Sequence, residues 1–138
     1  MTGLTTETKT LPTVFVVDDE QDMRFLARAV LERAGLDVIE EAVDGPQALE
    51  RFYILDPPPV PTVVVLDNRM PGLTGLQVAE RMLAHSPGQV IILFSAFLDR
   101  AVEEAARSIG VAACVSKSEL RRLPEIIRAL LASSDTCD

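Results

Sequence analysis

The sequence predicts a single α/β domain of three layers, a parallel sheet covered by helices on both faces. Three observations carry this reading. Five short β-branched runs fall at 14–17, 37–42, 62–66, 90–94 and 111–115, amphipathic helical patterns separate them, and the runs are apolar at consecutive positions rather than at every second one. A sheet wetted on one face would show alternation instead.

Taken in order, VFVV at 14–17 is the first strand. Residues 21–34 place Met23, Leu26, Ala27, Val30, Leu31 and Ala34 at three- and four-residue steps, one apolar stripe along a helix stopped by Gly35. The second strand, 37–42, leads to a helix over 46–55 with Pro46 in its first turn, where a missing N–H costs little. DPPPVP at 56–61 is a stiff loop entering the third strand, 62–66, followed by a helix over 76–85. The fourth strand, 90–94, precedes a helix over 100–109 that Gly110 ends, and the fifth strand follows at 111–115. Pro124 opens the last helix, which runs to about Ala132 with Ile126, Ile127, Leu130 and Leu131 inward. The domain therefore covers 11–132, between a flexible N-terminal segment at 1–10 and a fraying polar tail at 133–138.

A chain of 138 residues holds one core, and 48% apolar with 25% charged residues is a globular composition. The net charge of −8 argues against direct nucleic-acid binding, which rests on basic neutralisation of phosphates. No apolar run approaches a membrane span and MTGLTTETKT lacks the apolar stretch of a signal peptide, so a soluble cytoplasmic protein is expected. Cys114 and Cys137 are the only cysteines and have no ligand-spaced neighbours; Cys114 reads as a small packing residue.

The chemistry gathers at strand ends. The first strand runs into Asp18, Asp19 and Glu20, and the third into Asp67, delivering carboxylates to one edge of the sheet. An acid after a strand often only caps the next helix, a role that suits Asp19 or Glu20. Several acids at two strand ends instead repel one another; unless some stay protonated a bound cation is the usual resolution, and Mg2+, which favours carboxylate and phosphate oxygens, fits. The fourth strand ends at Ser95 and the fifth is followed by Lys117, supplying a hydroxyl and an ammonium suited to phosphoryl oxygens.

The pair Asp18-Asp19, LDNRMPGLTG at 66–75, LFSA at 93–96 and Lys117, twenty-two positions after Ser95, together resemble a receiver domain of a two-component response regulator. The resemblance implies a CheY-like, flavodoxin-like (βα)5 sandwich with strand order 2-1-3-4-5. It implies that Asp67 is a phosphoacceptor, charged by a phosphohistidine on a sensor histidine kinase or a histidine phosphotransfer protein. It further implies Mg2+, or Mn2+ in its place, held by Asp18, Asp19, Asp67 and the main-chain carbonyl of Arg69, with Asp18 acting mainly through water. Lys117 would pair with Asp67 before transfer and with a phosphoryl oxygen after it, Ser95 would donate its hydroxyl, and Gly72 or Gly75 would supply a special loop conformation. Such a chain is a signalling domain rather than an enzyme: a monomer with a phosphorylation-dependent homodimer as a further state, and no membrane partner.

Two positions depart from the family. Cys114 stands three residues before Lys117, where an aromatic ring is usual, and Ser118 replaces a frequent proline and is expected to cap a turn. The readout of phosphorylation is then expected to pass to Ser95 and the loop 96–100 alone, the alternative being that Phe97 takes part of the aromatic role. Arg69 and Phe97 sit two positions beyond Asp67 and Ser95, flanking the route of water to an acyl phosphate. The rival readings are a phosphorylation-independent adaptor and an enzyme on the same sheet. Neither G-x-x-x-x-G-K-[ST] nor G-x-G-x-x-G occurs to support a nucleotide enzyme. With no effector domain encoded after the last helix, the reading is a stand-alone receiver acting by docking or relay, or else an excised domain, the former being favoured.

Overall fold

Successive residues of each central strand feed two cores. Val14 and Val16 pack with Val63, Val65, Ile92 and Phe94 on one face of the sheet, while Phe15 and Val17 pack with Val64, Leu66, Ile91 and Leu93 on the other. The computed structural model describes residues 12–55 and 62–136. Its strands are β1 (Thr13–Val17), β2 (Asp37–Ala42), β3 (Val63–Leu66), β4 (Val90–Ser95) and β5 (Ala113–Ser116), all parallel in the order β2-β1-β3-β4-β5. The helices are α1 (Gln21–Arg33), α2 (Gly45–Ile54), α3 (Gly75–His85), α4 (Arg100–Ile109) and α5 (Leu123–Thr136), and a 3-10 helix at Lys117–Arg122 joins β5 to α5. Ala27 and Leu31 of α1 with Leu123 and Ile127 of α5 close the first core; Leu49 and Phe52 of α2, Val78 and Met82 of α3, and Ala106 of α4 close the second. The expected three layers and strand order are both present.

Local chemistry sets the helix ends. Asp44 accepts the Gln47 N–H at 2.8 Å, Asp99 accepts that of Val102 at 2.9 Å, and Thr74 with Gln77 forms a capping box before α3. At the far ends, Gly35 and Gly110 take left-handed φ values of 88° and 103°. Leu36 N–H then donates to Leu31 O, and Val111 N–H to Ala106 O, both at 3.0 Å, closing two Schellman turns.

That closure corrects one boundary. The strand expected at 111–115 begins two residues later, because Val111 spends its N–H ending α4 rather than extending the sheet. β4 reaches Ser95 because Ser95 pairs with Ser116 across the sheet. α5 starts one residue before Pro124 and continues to Thr136, four residues beyond the end expected at Ala132. The segments expected to be flexible or stiff at 1–10 and 56–61, and Cys137, lie outside the described residues. Among the described residues no helix is long and apolar enough to cross a membrane.

A Cβ on Gly110 would meet only Leu83 Cδ1, at an ordinary 3.4 Å, so the penalty for a side chain there is backbone strain. Gly110→Ala is expected to cost about 1 kcal/mol, read as a lowered urea midpoint with unchanged slope; an unmoved midpoint contradicts the strain argument.

Candidate functional site

The carboxyl edge of the sheet holds its acids by their backbones. Asp18 N–H donates to Ala42 O at 3.1 Å and Asp67 N–H to Val17 O at 2.9 Å, so each residue continues the ladder of its strand while its side chain leaves the sheet. Asp18 and Asp67 are buried, Asp19 is exposed, and a carboxylate oxygen from each lies within 4.8 Å of the others. Lys117, projecting from the end of β5, has its Nζ 2.7 Å from Asp18 Oδ2, 3.5 Å from Asp67 Oδ1 and 3.6 Å from Glu20 Oε1.

Lys117 thus pairs with Asp67, as the family resemblance implied, and more closely still with Asp18. The reason is local. Asp18 Oδ1 accepts the Glu20 N–H at 2.9 Å, which leaves Oδ2 turned toward the ammonium. Glu20 itself stands at the N-cap of α1 and makes no side-chain cap bond. Burial, then the charge of Asp18, pushes the Asp67 carboxyl up to about 6; the charge and hydrogen bond of Lys117 oppose this, and Asp19 adds to it. Burial pulls the Lys117 ammonium down, but the hydrogen bond and charge of Asp18, with the charges of Asp67 and Glu20, outweigh it and leave its pKa raised. One ammonium faces an excess of carboxylates. The hard oxygen donors, crowded and incompletely neutralised, fit a divalent cation of the magnesium type.

An open pocket of about 210 Å³ lies over these groups, lined in part by Asp19, Asp67, Ser95 and Lys117. Ser95 is buried, and its Oγ accepts the Phe97 N–H at 3.2 Å, so the hydroxyl is committed to its own loop. Arg69 and Phe97 complete the wall, the guanidinium carbon 4.4 Å from the ring centroid. The two glycines of the Asp67 loop divide the work assigned to either of them. Gly72 takes the left-handed φ of 81°, whereas Gly75 is needed for space, since a Cβ there would lie 2.3 Å from Asp67 O. Gly75 N–H also donates to Asn68 O at 2.9 Å, and Leu76 N–H to Asn68 Oδ1 at 3.1 Å, fastening the start of α3 to the residue after Asp67.

Beyond β5, Ser116 rather than Ser118 does the capping: its Oγ accepts the Ser118 N–H at 3.2 Å and opens the 3-10 helix. Cys114 packs half-buried against the second core, and burial, then the charge of Glu103, raises its thiol pKa despite Arg107. Glu20, one of the acids noted after the first strand, reaches Lys117. One participant was not picked out from the sequence: Arg24 donates to the main-chain oxygen of Asp18 at 2.7 Å. An arginine in the second turn of α1, six residues after Asp18, was the available signal.

The architecture and this acidic edge are those of a receiver-type α/β domain, and the family follows from comparison: the model of the response regulator receiver domain matches residues 14–128, and the chain belongs to that family. Chemotaxis protein CheY of Thermotoga maritima is 30% identical over 97 residues, covering 70% of this chain and 78% of that protein. A protein-glutamate methylesterase/protein-glutamine glutaminase of Rhizobium johnstonii is 35% identical over 129 residues, 89% of this chain but only 36% of the relative, so the chain spans about a third of that longer protein. A LuxR-family two-component response regulator from Aurantimonas sp. SI85-9A1 superposes with a TM-score of 0.82 at 26% identity, over 90% of this chain and 87% of that one. The signal receiver domain of NarL from Mycobacterium tuberculosis gives 0.79 at 31% identity, over 92% and 98%.

The raised Asp67 pKa has a sign that can be checked. The folded protein holds this proton more tightly than the unfolded chain, so the side chain's destabilising effect is present above pH 6 and disappears as pH falls below the unfolded value of 3.8. Without added divalent ions, Asp67→Asn should be more stable than the wild type by about 1–3 kcal/mol near pH 8 in urea unfolding, with the gain gone by about pH 3. A gain that does not depend on pH contradicts the assignment.

Proposed function

We propose that the chain is a phosphoacceptor receiver that takes a phosphoryl group from a phosphohistidine onto Asp67. The supporting observation is the cluster of Asp18, Asp19 and Asp67, two of which, Asp18 and Asp67, meet Lys117 beside an open pocket, in a member of the receiver family. In the transfer, a carboxylate oxygen of Asp67 attacks phosphorus, the O–P bond forms as the donor's N–P bond breaks, and the imidazole leaves with the electron pair. Asp18, Asp19, Asp67 and the Arg69 carbonyl would hold Mg2+ or Mn2+. Bound there, the ion offsets negative charge that accumulates on the phosphoryl oxygens. Lys117 moves its ammonium between carboxylate and phosphoryl oxygens, and its position on Asp18 leaves Asp67 the less tightly paired of the two acids.

The switch follows from Ser95. When its hydroxyl turns to a phosphoryl oxygen it releases the Phe97 N–H, loosening the loop 96–99 and the stack of Phe97 on Arg69. This route needs no aromatic side chain at Cys114. The donor is a sensor histidine kinase or a histidine phosphotransfer protein, and the protein acts in the cytoplasm as a monomer that docks on a further protein.

Incubation of the full chain with phosphoramidate and Mg2+ should add one phosphoryl group in the intact mass, lost in Asp67→Asn and strongly reduced in Lys117→Met. Absence of any addition would favour the second reading, an adaptor that signals by binding alone, which Cys114 at the usual aromatic position keeps in view.

Arg69 and Phe97 give a separate expectation. Their stack screens the pocket from water, so Phe97→Ala and Arg69→Ala should each shorten the acyl phosphate lifetime, by about two- to tenfold if the stack contributes about 0.5–1 kcal/mol and also excludes water. Equal or slower phosphate release in both variants rejects the screening role.

A further inference from the structure

β1 ends at Val17, and Asp18 follows with its N–H still bonded to Ala42 O. The next polar group of the chain, the Asp18 carbonyl, has passed the end of the sheet. Arg24 meets it: Nη1 donates to Asp18 O at 2.7 Å, while Nε stands 3.3 Å from Glu41 Oε1 on the neighbouring β2. The Arg24 side chain is only 15% exposed. Glu41 is steadied in turn by Arg28, whose Nε lies 2.6 Å from Glu41 Oε2.

The carbonyl that Arg24 holds belongs to the peptide joining Asp18 to Asp19. Rotation of that peptide would move the Asp19 carboxylate, the exposed member of the acidic cluster, relative to Asp67. We infer that Arg24 is a positioning residue for the acidic site, tying the Asp18–Asp19 peptide to β2 so that the carboxylates meet a cation in a fixed arrangement. The inference rests on the proposed Mg2+-dependent phosphoacceptor reading, and it concerns a residue that touches no ligand itself.

Charge alone makes the opposite prediction. Removing a cation near three carboxylates strengthens their attraction for Mg2+, so a weaker site in an Arg24 variant reports lost geometry. The test compares Arg24→Gln, Arg24→Lys and Arg28→Gln with the wild type, all as full chains matched for folding by urea titration. Arg28 shares Glu41 but makes no bond to Asp18, and it serves as the control for general weakening of the network. Calorimetric titration with MgCl2 should show Arg24→Gln about 10- to 100-fold weaker, Arg24→Lys partly restored, and Arg28→Gln equal to or slightly tighter than the wild type. In metal-free protein, amide exchange at Asp19 and Glu20 should quicken in Arg24→Gln and not in Arg28→Gln. With phosphoramidate at saturating Mg2+, the rate of Arg24→Gln should recover toward that of the wild type. Unchanged or tighter Mg2+ binding in Arg24→Gln overturns the inference, as does equal loss in Arg28→Gln. A wild type that binds no Mg2+ overturns the functional reading instead, and the metal-free exchange then still decides whether Arg24 holds the peptide.

Discussion

Several carboxylates share one ammonium at the carboxyl edge of the sheet, and the rest of the structure is arranged to hold them there. Left free, Asp18, Asp19 and Asp67 would separate. They do not, because the buried pair keep their main-chain N–H groups in the ladders of β1 and β3, and those strands are gripped by apolar cores on both faces. The raised pKa of Asp67 is the local measure of that confinement. Strain of this kind is concentrated where chemistry is done and is carried by packing elsewhere.

Much of this was readable in the residues. Consecutive apolar positions, rather than alternation, signalled a sheet covered twice, and Gly35 and Gly110 marked two helix ends that the structure closes with left-handed turns. The order of the strands was not in the periodicity; it came with the resemblance carried by Asp18-Asp19, the Asp67 loop, Ser95 and Lys117. What stayed hidden depends on side-chain direction. That Lys117 settles on Asp18 follows from a bond between Asp18 and the Glu20 amide, and that Ser95 faces Phe97 follows from the turn of the loop after β4. The clearance at Gly75 arises between two segments meeting in space, and pattern alone assigns it no more weight than Gly72.

The wall of the pocket joins two loops that respond to different groups. Arg69 belongs to the loop that leaves Asp67, Phe97 to the loop that leaves Ser95, and their stacking makes the two into one lid segment. Cys114 is half-buried against the second core and, with Glu103, Arg107 and Val111, lines an open pocket of about 240 Å³. That pocket borders α4, whose only fully buried residue is Ala106 and which is accordingly the helix least anchored by its own buried side chains.

The four residues of β3 divide evenly between the faces of the sheet, Val63 and Val65 to one side, Val64 and Leu66 to the other, with Asp67 next in line. A strand that serves both cores has no neutral direction in which to slide. Deleting or inserting one residue within it would exchange the two hydrophobic sets and swing the acid through half a turn at the same stroke. The address of the reactive oxygen is thus written in parity, and evolution is free to vary which aliphatic side chains fill β3 far more readily than how many there are.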